Sequence, residues 1–217
     1  MQPPPFRRYS LVDQLISHVD RALYDVFCEQ RASRPNPAES IKEKARLGPE
    51  QSRNAASLMR VNHAGEVCAQ ALYHGQSLTA RDPSLRDKLR QASSEESDHL
   101  AWCRQRLTEL DSRPSYLDLL LYVGSMAIGS TAGILGDRWN LGFLAETEHQ
   151  VVRHLDSHLA RLPQQDVKSR AIVSQMREDE LGHAELAEDL GAAELPKPVK
   201  SFMRFTAKVM TTLTERI

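Results

Sequence analysis

The sequence is short of aromatic residues, cysteines and surplus charge, and each shortage closes off a class of function. Only 6% of the chain is aromatic, and no stretch interleaves basic residues with rings as a nucleotide-stacking surface does. Lys and Arg number 28 against 29 Asp and Glu, so no overall field draws in nucleic acid or anionic lipid, and no nucleic-acid partner is expected. The three cysteines, Cys28, Cys68 and Cys103, form no CxxC pair. They read as reduced thiols in a cytosolic setting, Cys68 and Cys103 as packing residues, and they rule against a rubredoxin-like module. The opening MQPPPFRRYS has no apolar signal-peptide core, and Asp13, Asp20 and Asp25 argue against a transit peptide. Strand signals are also missing: apolar residues alternate nowhere for long, and no hairpin dipeptide occurs.

What remains is helix. The 217 residues, 41% apolar and 26% charged, suit one large domain or a domain with an arm. Residues 10–27 read as a short amphipathic helix and 32–41 as a linker, giving an N-terminal region 1–48 ahead of a domain 49–217. Pro49 suits the first position of a long helix running to about Ala80. Asp82 and Pro83 cap and start the next, which ends near Leu110. Further helices are expected over about 138–161, from RLPQQD to about Leu190, and over 198–214. The expected fold is all-α, a four-helix bundle with additional N- and C-terminal helices.

Between the second and third long helices lies an uncharged run, LLLYVGSMAIGSTAGILG, 18 residues bounded by Asp118 and Asp137. Three readings stay open: a buried crossover helix, a segment dipping into one leaflet, and a full span, the last weakened by four glycines and a length at the lower limit.

The chemistry sits on helix faces that are otherwise apolar. Leu89, Ala92, Glu96, His99, Leu100, Cys103 and Leu107 fall on one stripe at steps of three and four. A carboxylate withdrawn from water needs a partner or a metal. Glu-x-x-His alone is weak evidence: 16 Glu and 8 His give about 0.6 matches by random placement, and three occur. Glu180/His183 repeats the apolar setting, beside Val173, Met176, Ala184 and Ala187. Glu146/His149 reads as accidental, because Gln150, Arg153 and Ser157 mark a solvated face. Glu148 instead shares its face with Val151, Val152, Leu155 and Leu159 and points inward.

Spacing supplies a fourth glutamate. Glu66 lies 16 residues before the turn at Asp82, and Glu96 lies 14 after it. Glu148 and Glu180 each lie 16 residues from the turn near Gln164. Residues equidistant from a turn between antiparallel helices share one depth. The chain therefore carries two copies of one unit, a Glu followed about thirty residues later by Glu-x-x-His. Glu66, Glu96, His99, Glu148, Glu180 and His183 form a donor set suited to two iron or manganese ions. That arrangement is a known one for ferritin-like di-iron carboxylate proteins. Around it, Asp179 is a candidate to hold a ligating histidine, His63 and Tyr73 flank Glu66, and His154 and His158, four apart, are expected on a solvated face with Gln150 and Arg161.

At these residues the sequence resembles a known family. LMRVNHAGEVCAQALY, EESDHLAWC, GDRWNLGFLAETE and MREDELGHAELA, in this order, are similar to the bacterial demethoxyubiquinone hydroxylases of ubiquinone biosynthesis. The resemblance covers about residues 50–217. It implies a ferritin-like fold with iron on Glu66, Glu96, His99, Glu148, Glu180 and His183. It implies a monooxygenase that hydroxylates the ring of a polyprenylated methoxy-benzoquinol with O2 and NADH or another reductant. It further implies a peripheral enzyme on the cytoplasmic side of the bacterial inner membrane, with an accessory lipid-binding protein and a homo-oligomer as expected partners. Residues 1–48 carry no motif of this family. The rival expectations are a ferroxidase or iron-storage bundle, against which the uncharged run counts, and a di-iron hydroxylase of modified tRNA, against which the charge balance counts.

Overall fold

A computed structural model of the chain describes residues 31–43 and 46–216, together with Asp13, Ile16, Asp20, Leu23, Tyr24 and Cys28. The helix expected over 10–27 lies mostly outside the described residues. Six helices are delimited: α1 Pro49–Thr79, α2 Pro83–Glu109, α3 Asp118–Ile134, α4 Asp137–Arg161, α5 Val167–Asp189 and α6 Lys197–Thr214. No strand occurs among the described residues.

Local chemistry sets the boundaries. Pro49 opens α1, where its missing N–H would be unpaired in any case, and the Gln51 side chain accepts from the Gly48 N–H at 3.0 Å. Asp82 caps α2 by accepting from the Ser84 N–H at 2.8 Å. Asp166 caps α5 through the Ser169 N–H at 2.9 Å. The Asp137 carboxylate, at the start of α4, accepts from the Arg81 and Asp82 N–H groups at 2.9 Å each. It thereby ties the start of the second hairpin to the turn of the first.

α1 and α2 form one antiparallel hairpin, and α4 and α5 form the other; together they make a ferritin-like four-helix bundle. Two dry layers fill it. One contains Leu58, Met59, Trp102, Cys103, Leu155 and Met176, and the other Tyr73, Leu85, Leu89, Leu141 and Leu144. Every helix of the bundle contributes its Glu between these layers.

α3 is the crossover, and it lies along α1. A Cβ placed on Gly75 would come within 2.3 Å of the Met126 carbonyl oxygen, and one on Gly129 within 2.3 Å of the Leu72 carbonyl oxygen. Glycine is required on both sides for backbones this close. Two of the run's four glycines, Gly129 and Gly133, thus serve packing against α1. The opposite face of α3 is bare, with Leu120 70% and Val123 57% exposed. Neither a fully buried crossover nor a full span describes α3: one face packs on α1, and no helix among the described residues is long and apolar enough to cross a membrane.

α6 docks across α1 and α4. Ser57 Oγ donates to the Glu215 carbonyl at 3.0 Å, Arg161 pairs with the Glu215 carboxylate, and Lys200 lies 3.4 Å from Glu146. Its outer face leaves Phe202 64% and Phe205 65% exposed.

Candidate metal centre

Four carboxylates and two imidazoles meet between the two dry layers. Glu66, Glu96, Glu148, Glu180 and His99 are at most 2% exposed, and His183 is 9%. One ligating atom each from Glu66, Glu96, His99 and Glu180 lies within 4.8 Å of all the others. His99 Nδ1 is 3.1 Å from both Glu96 Oε2 and Glu180 Oε1, and 3.5 Å from Glu66 Oε2. His183 Nδ1 is 3.2 Å from Glu180 Oε2 and 3.5 Å from Glu96 Oε1. Glu148 Oε1 accepts from the Tyr73 hydroxyl at 2.8 Å.

Both histidines turn Nε2 outward to a carboxylate: His99 to Asp179 Oδ2 at 2.9 Å, His183 to Glu95 Oε2 at 2.7 Å. With Nε2–H donating there, Nδ1 is the nitrogen left to face the acids and to ligate a metal. The interior is then almost all acceptors. Glu96 Oε1, Glu148 Oε2 and Glu180 Oε1 accept no well-directed hydrogen bond. Burial without partners is costly for carboxylates, so this interior calls for cations.

Titration behaviour says the same. Burial pushes Glu66 and Glu148 well above the usual carboxylate range, and the charges of Glu96 and Glu180 add to it. Burial opposes protonation of the histidines but loses to the acids. Asp179, Glu180, Glu66 and Glu96 raise His99 well above its ordinary value, and Glu180, Glu96 and Glu148 take His183 up to about 11. Burial would raise Glu180, yet hydrogen bonds from His183 and His99 bring it down to about 2. A site that gathers protons among buried acids is one where a multivalent cation displaces them. The donor set of carboxylates with imidazole suits iron or manganese rather than a single zinc.

The comparisons with known proteins agree with this geometry. A family model described as "Ubiquinone biosynthesis protein COQ7" matches residues 53–214. The chain belongs to this family. Among similar curated relatives is the 3-demethoxyubiquinol 3-hydroxylase of Chromobacterium violaceum, 56% identical over 95% of this chain and 100% of the relative. Proteins of the same name from Ralstonia pickettii and Xanthomonas oryzae pv. oryzae are 53% and 51% identical, over 95% and 100% of this chain and 100% and 99% of their own lengths.

Within this COQ7-family chain the surrounding residues fall in several places. Asp179 holds His99, and Tyr73 bonds Glu148 rather than Glu66. His63 turns away from Glu66 toward α3, with Nδ1 3.2 Å from Asp118 Oδ2. His154 is not beside the acids; its ring lies 4.0 Å from that of His158, whose Nδ1 is 2.6 Å from Asn62 Oδ1. Nor do the two histidines stand in water, although Arg161 beside them is exposed. His158 is buried, and desolvation lowers His154 to about 4 and His158 to about 2. Glu146 likewise is only 8% exposed. It meets Gln150, Arg153 and Lys200, while His149 pairs with Glu188, so the third Glu-x-x-His match stays apart from the cluster. α6 is the reason for both differences, because it covers a side of α4 that periodicity alone marks as outward.

Two polar partners escaped the sequence reading. Glu95 had a signal: an acid directly precedes the Glu in both inward motifs, EE at 95–96 and DE at 179–180. Arg34 had none, because it lies in the segment read as a linker. Its Nε donates to Asp98 and its Nη2 to Asp179, both at 2.8 Å.

A cavity of about 630 Å³ runs between α1, α3, α4 and α6. Glu66 is on its wall, with Leu121, Ile128, Phe143, His154 and Met203. Its size and lining suit an apolar ligand with a few polar anchors.

Proposed function

We propose that this protein is a 3-demethoxyubiquinol 3-hydroxylase that holds two iron ions on Glu66, Glu96, His99, Glu148, Glu180 and His183. The observation that carries the reading is the buried cluster of four carboxylates and two imidazoles, reached by an apolar cavity through Glu66. The names of relatives more than 50% identical over nearly full length support the same substrate. In the reaction, one atom of O2 enters the quinol ring as a hydroxyl in place of hydrogen. The other leaves as water, with two electrons from NADH or another reductant and two protons. When bound, the irons supply dioxygen activation and oxygen transfer. The chain's own residues fix the donors and shape the dry pocket. Asp179 and Glu95 hold the two imidazoles in one tautomer, Tyr73 orients Glu148, and the two apolar layers keep water away from the acids.

The substrate's polyprenyl tail gives the bare faces a use. Leu120 and Val123 of α3 and Phe202, Phe205, Val209 and Leu213 of α6 are exposed apolar side chains, and Lys197, Arg204 and Lys208 accompany those of α6. Such a helix rests in the interfacial plane of an anionic bilayer. In this reading the protein sits peripherally on the cytoplasmic face of a bacterial inner membrane, and the quinol ring enters between α3 and α6 while its tail stays in lipid. The test is to load the full chain with iron, supply a short-tail demethoxyquinol, NADH and O2, and measure the product by mass. A gain of one ring oxygen is expected. Iron oxidation and accumulation without ring hydroxylation supports the ferroxidase reading instead.

A further inference from the structure

Residues 31–43 lie outside the bundle and outside the span matched by the family model, yet they bind its acids. The Ser33 N–H and Oγ donate to Asp98 Oδ1 at 2.6 and 3.1 Å. Arg34 Nε donates to Asp98 Oδ2, and its Nη2 to Asp179 Oδ2. Asp98 is on α2, directly before His99; Asp179 is on α5, directly before Glu180. A single guanidinium therefore joins the two Glu-x-x-His helices from outside. The same Asp179 Oδ2 accepts from His99 Nε2. Arg34 also lies over the Trp102 ring, 5.0 Å from its centroid, and that ring is 5.4 Å from the His99 ring. His99 is thus fixed by an aspartate that is itself fixed, and by an aromatic neighbour under the same cation.

His183 also has an aromatic neighbour, the Tyr73 ring edge-on at 6.2 Å, but no bridging cation among the described residues. Its partner Glu95 is 37% exposed at the side chain, and among the described residues its other oxygen accepts only from Gln91, at 3.1 Å. No basic side chain bridges Glu95 to another helix among the described residues. The two histidines stand in matching motifs, but one is clamped and the other is held by a carboxylate open to water. An imidazole ligand held in place loses less freedom on binding, and its outer carboxylate raises its basicity. Guanidinium is suited to this because its planar fork spans two carboxylates, which an ammonium does not.

We infer that Arg34 is a positioning residue for the metal centre, bracing His99 through Asp179 and making the His99 half the tighter of two unequal metal positions. The inference rests on the two-metal reading above. The experiment is anaerobic titration of the full metal-free chain with Co(II), followed by visible absorption and equilibrium dialysis, with thermal unfolding of the metal-free and loaded forms. The unmodified chain should bind in two resolved steps. Arg34→Gln should weaken the first step by about 10- to 100-fold, the range for loss of an outer partner, while the second step changes little. The metal-induced rise in Tm should shrink by more than the metal-free Tm falls. Arg34→Lys keeps a charge near Asp98 but not the fork, and should fold while still losing affinity in the first step. Unchanged first-step affinity in Arg34→Lys and Arg34→Gln overturns the inference, as does an equal loss of Tm with and without metal. If the unmodified chain binds no metal, the two-metal reading itself fails, which is a different result.

Discussion

Glu146 and Glu148 are two residues apart on α4, both buried, and they live in opposite surroundings. Glu148 faces the carboxylates of Glu180 and Glu96, and one of its oxygens goes unpaired among the described residues. Glu146 faces Gln150, Arg153 and Lys200, so its charge is met. Burial alone therefore does not separate a functional acid from a structural one. The inward side of α4 pairs none of its clustered acids with a Lys or Arg among the described residues; the side under α6 gathers an acid with its counter-charges. The first arrangement holds protons or takes up cations, and the second is already complete.

The largest test of this contrast is Glu148→Ala, expected to lower hydroxylation by more than about 100-fold, beyond the range for loss of an outer partner, and to lower metal content. Glu146→Ala should keep metal and activity and lose only about 1 kcal/mol of stability, because Arg153 and Lys200 are partly exposed. Equal losses in the two variants would erase the distinction. Tyr73→Phe removes the hydroxyl that donates to Glu148 and should lower activity or metal affinity by about 10- to 100-fold. Substitution of Phe202 and Phe205 by Ser should leave metal content intact. It should weaken binding to anionic vesicles by at least about tenfold, since each inserted ring contributes about 1.5–3 kcal/mol. Unchanged vesicle binding would remove the membrane role of α6.

The smallest effect concerns pH. His154 and His158 are held neutral under α6, with folded values of about 4 and about 2 against an ordinary 6.5. The unfolded chain takes up protons first as pH falls. Their contribution is therefore whole above about 6.5 and is lost progressively below it, through 4 for His154 and toward 2 for His158. His158→Gln should flatten the acid limb of a stability-against-pH curve measured on the metal-free chain. An unchanged slope would place His158 in water rather than under α6.

Helix boundaries were legible because they are local. Pro49, Asp82 and Pro83 act within a turn or two, and α1, α2, α4, α5 and α6 begin and end within a few residues of the positions their signals mark. The common depth of Glu66, Glu96, Glu148 and Glu180 was legible too, since helical rise is constant and the turns are short. The uncharged run was harder. Its glycines read as weakness in a span, whereas in the fold Gly129 and Gly133 are contact points with α1.

The sequence by itself determined five of the six delimited helices, two Glu…Glu-x-x-His units and their common depth, because periodicity and caps need nothing beyond the near neighbours along the chain. Only the tertiary structure decided which of the remaining polar residues have partners. Periodicity orients a side chain about its own helix axis and says nothing of what lies opposite. α6 arrives some fifty residues after Glu146 and turns an outward face into a buried one. Arg34 precedes Asp98 by 64 residues and Asp179 by 145, and no local rule joins them. They meet because the folded bundle brings two aspartates to one side of His99.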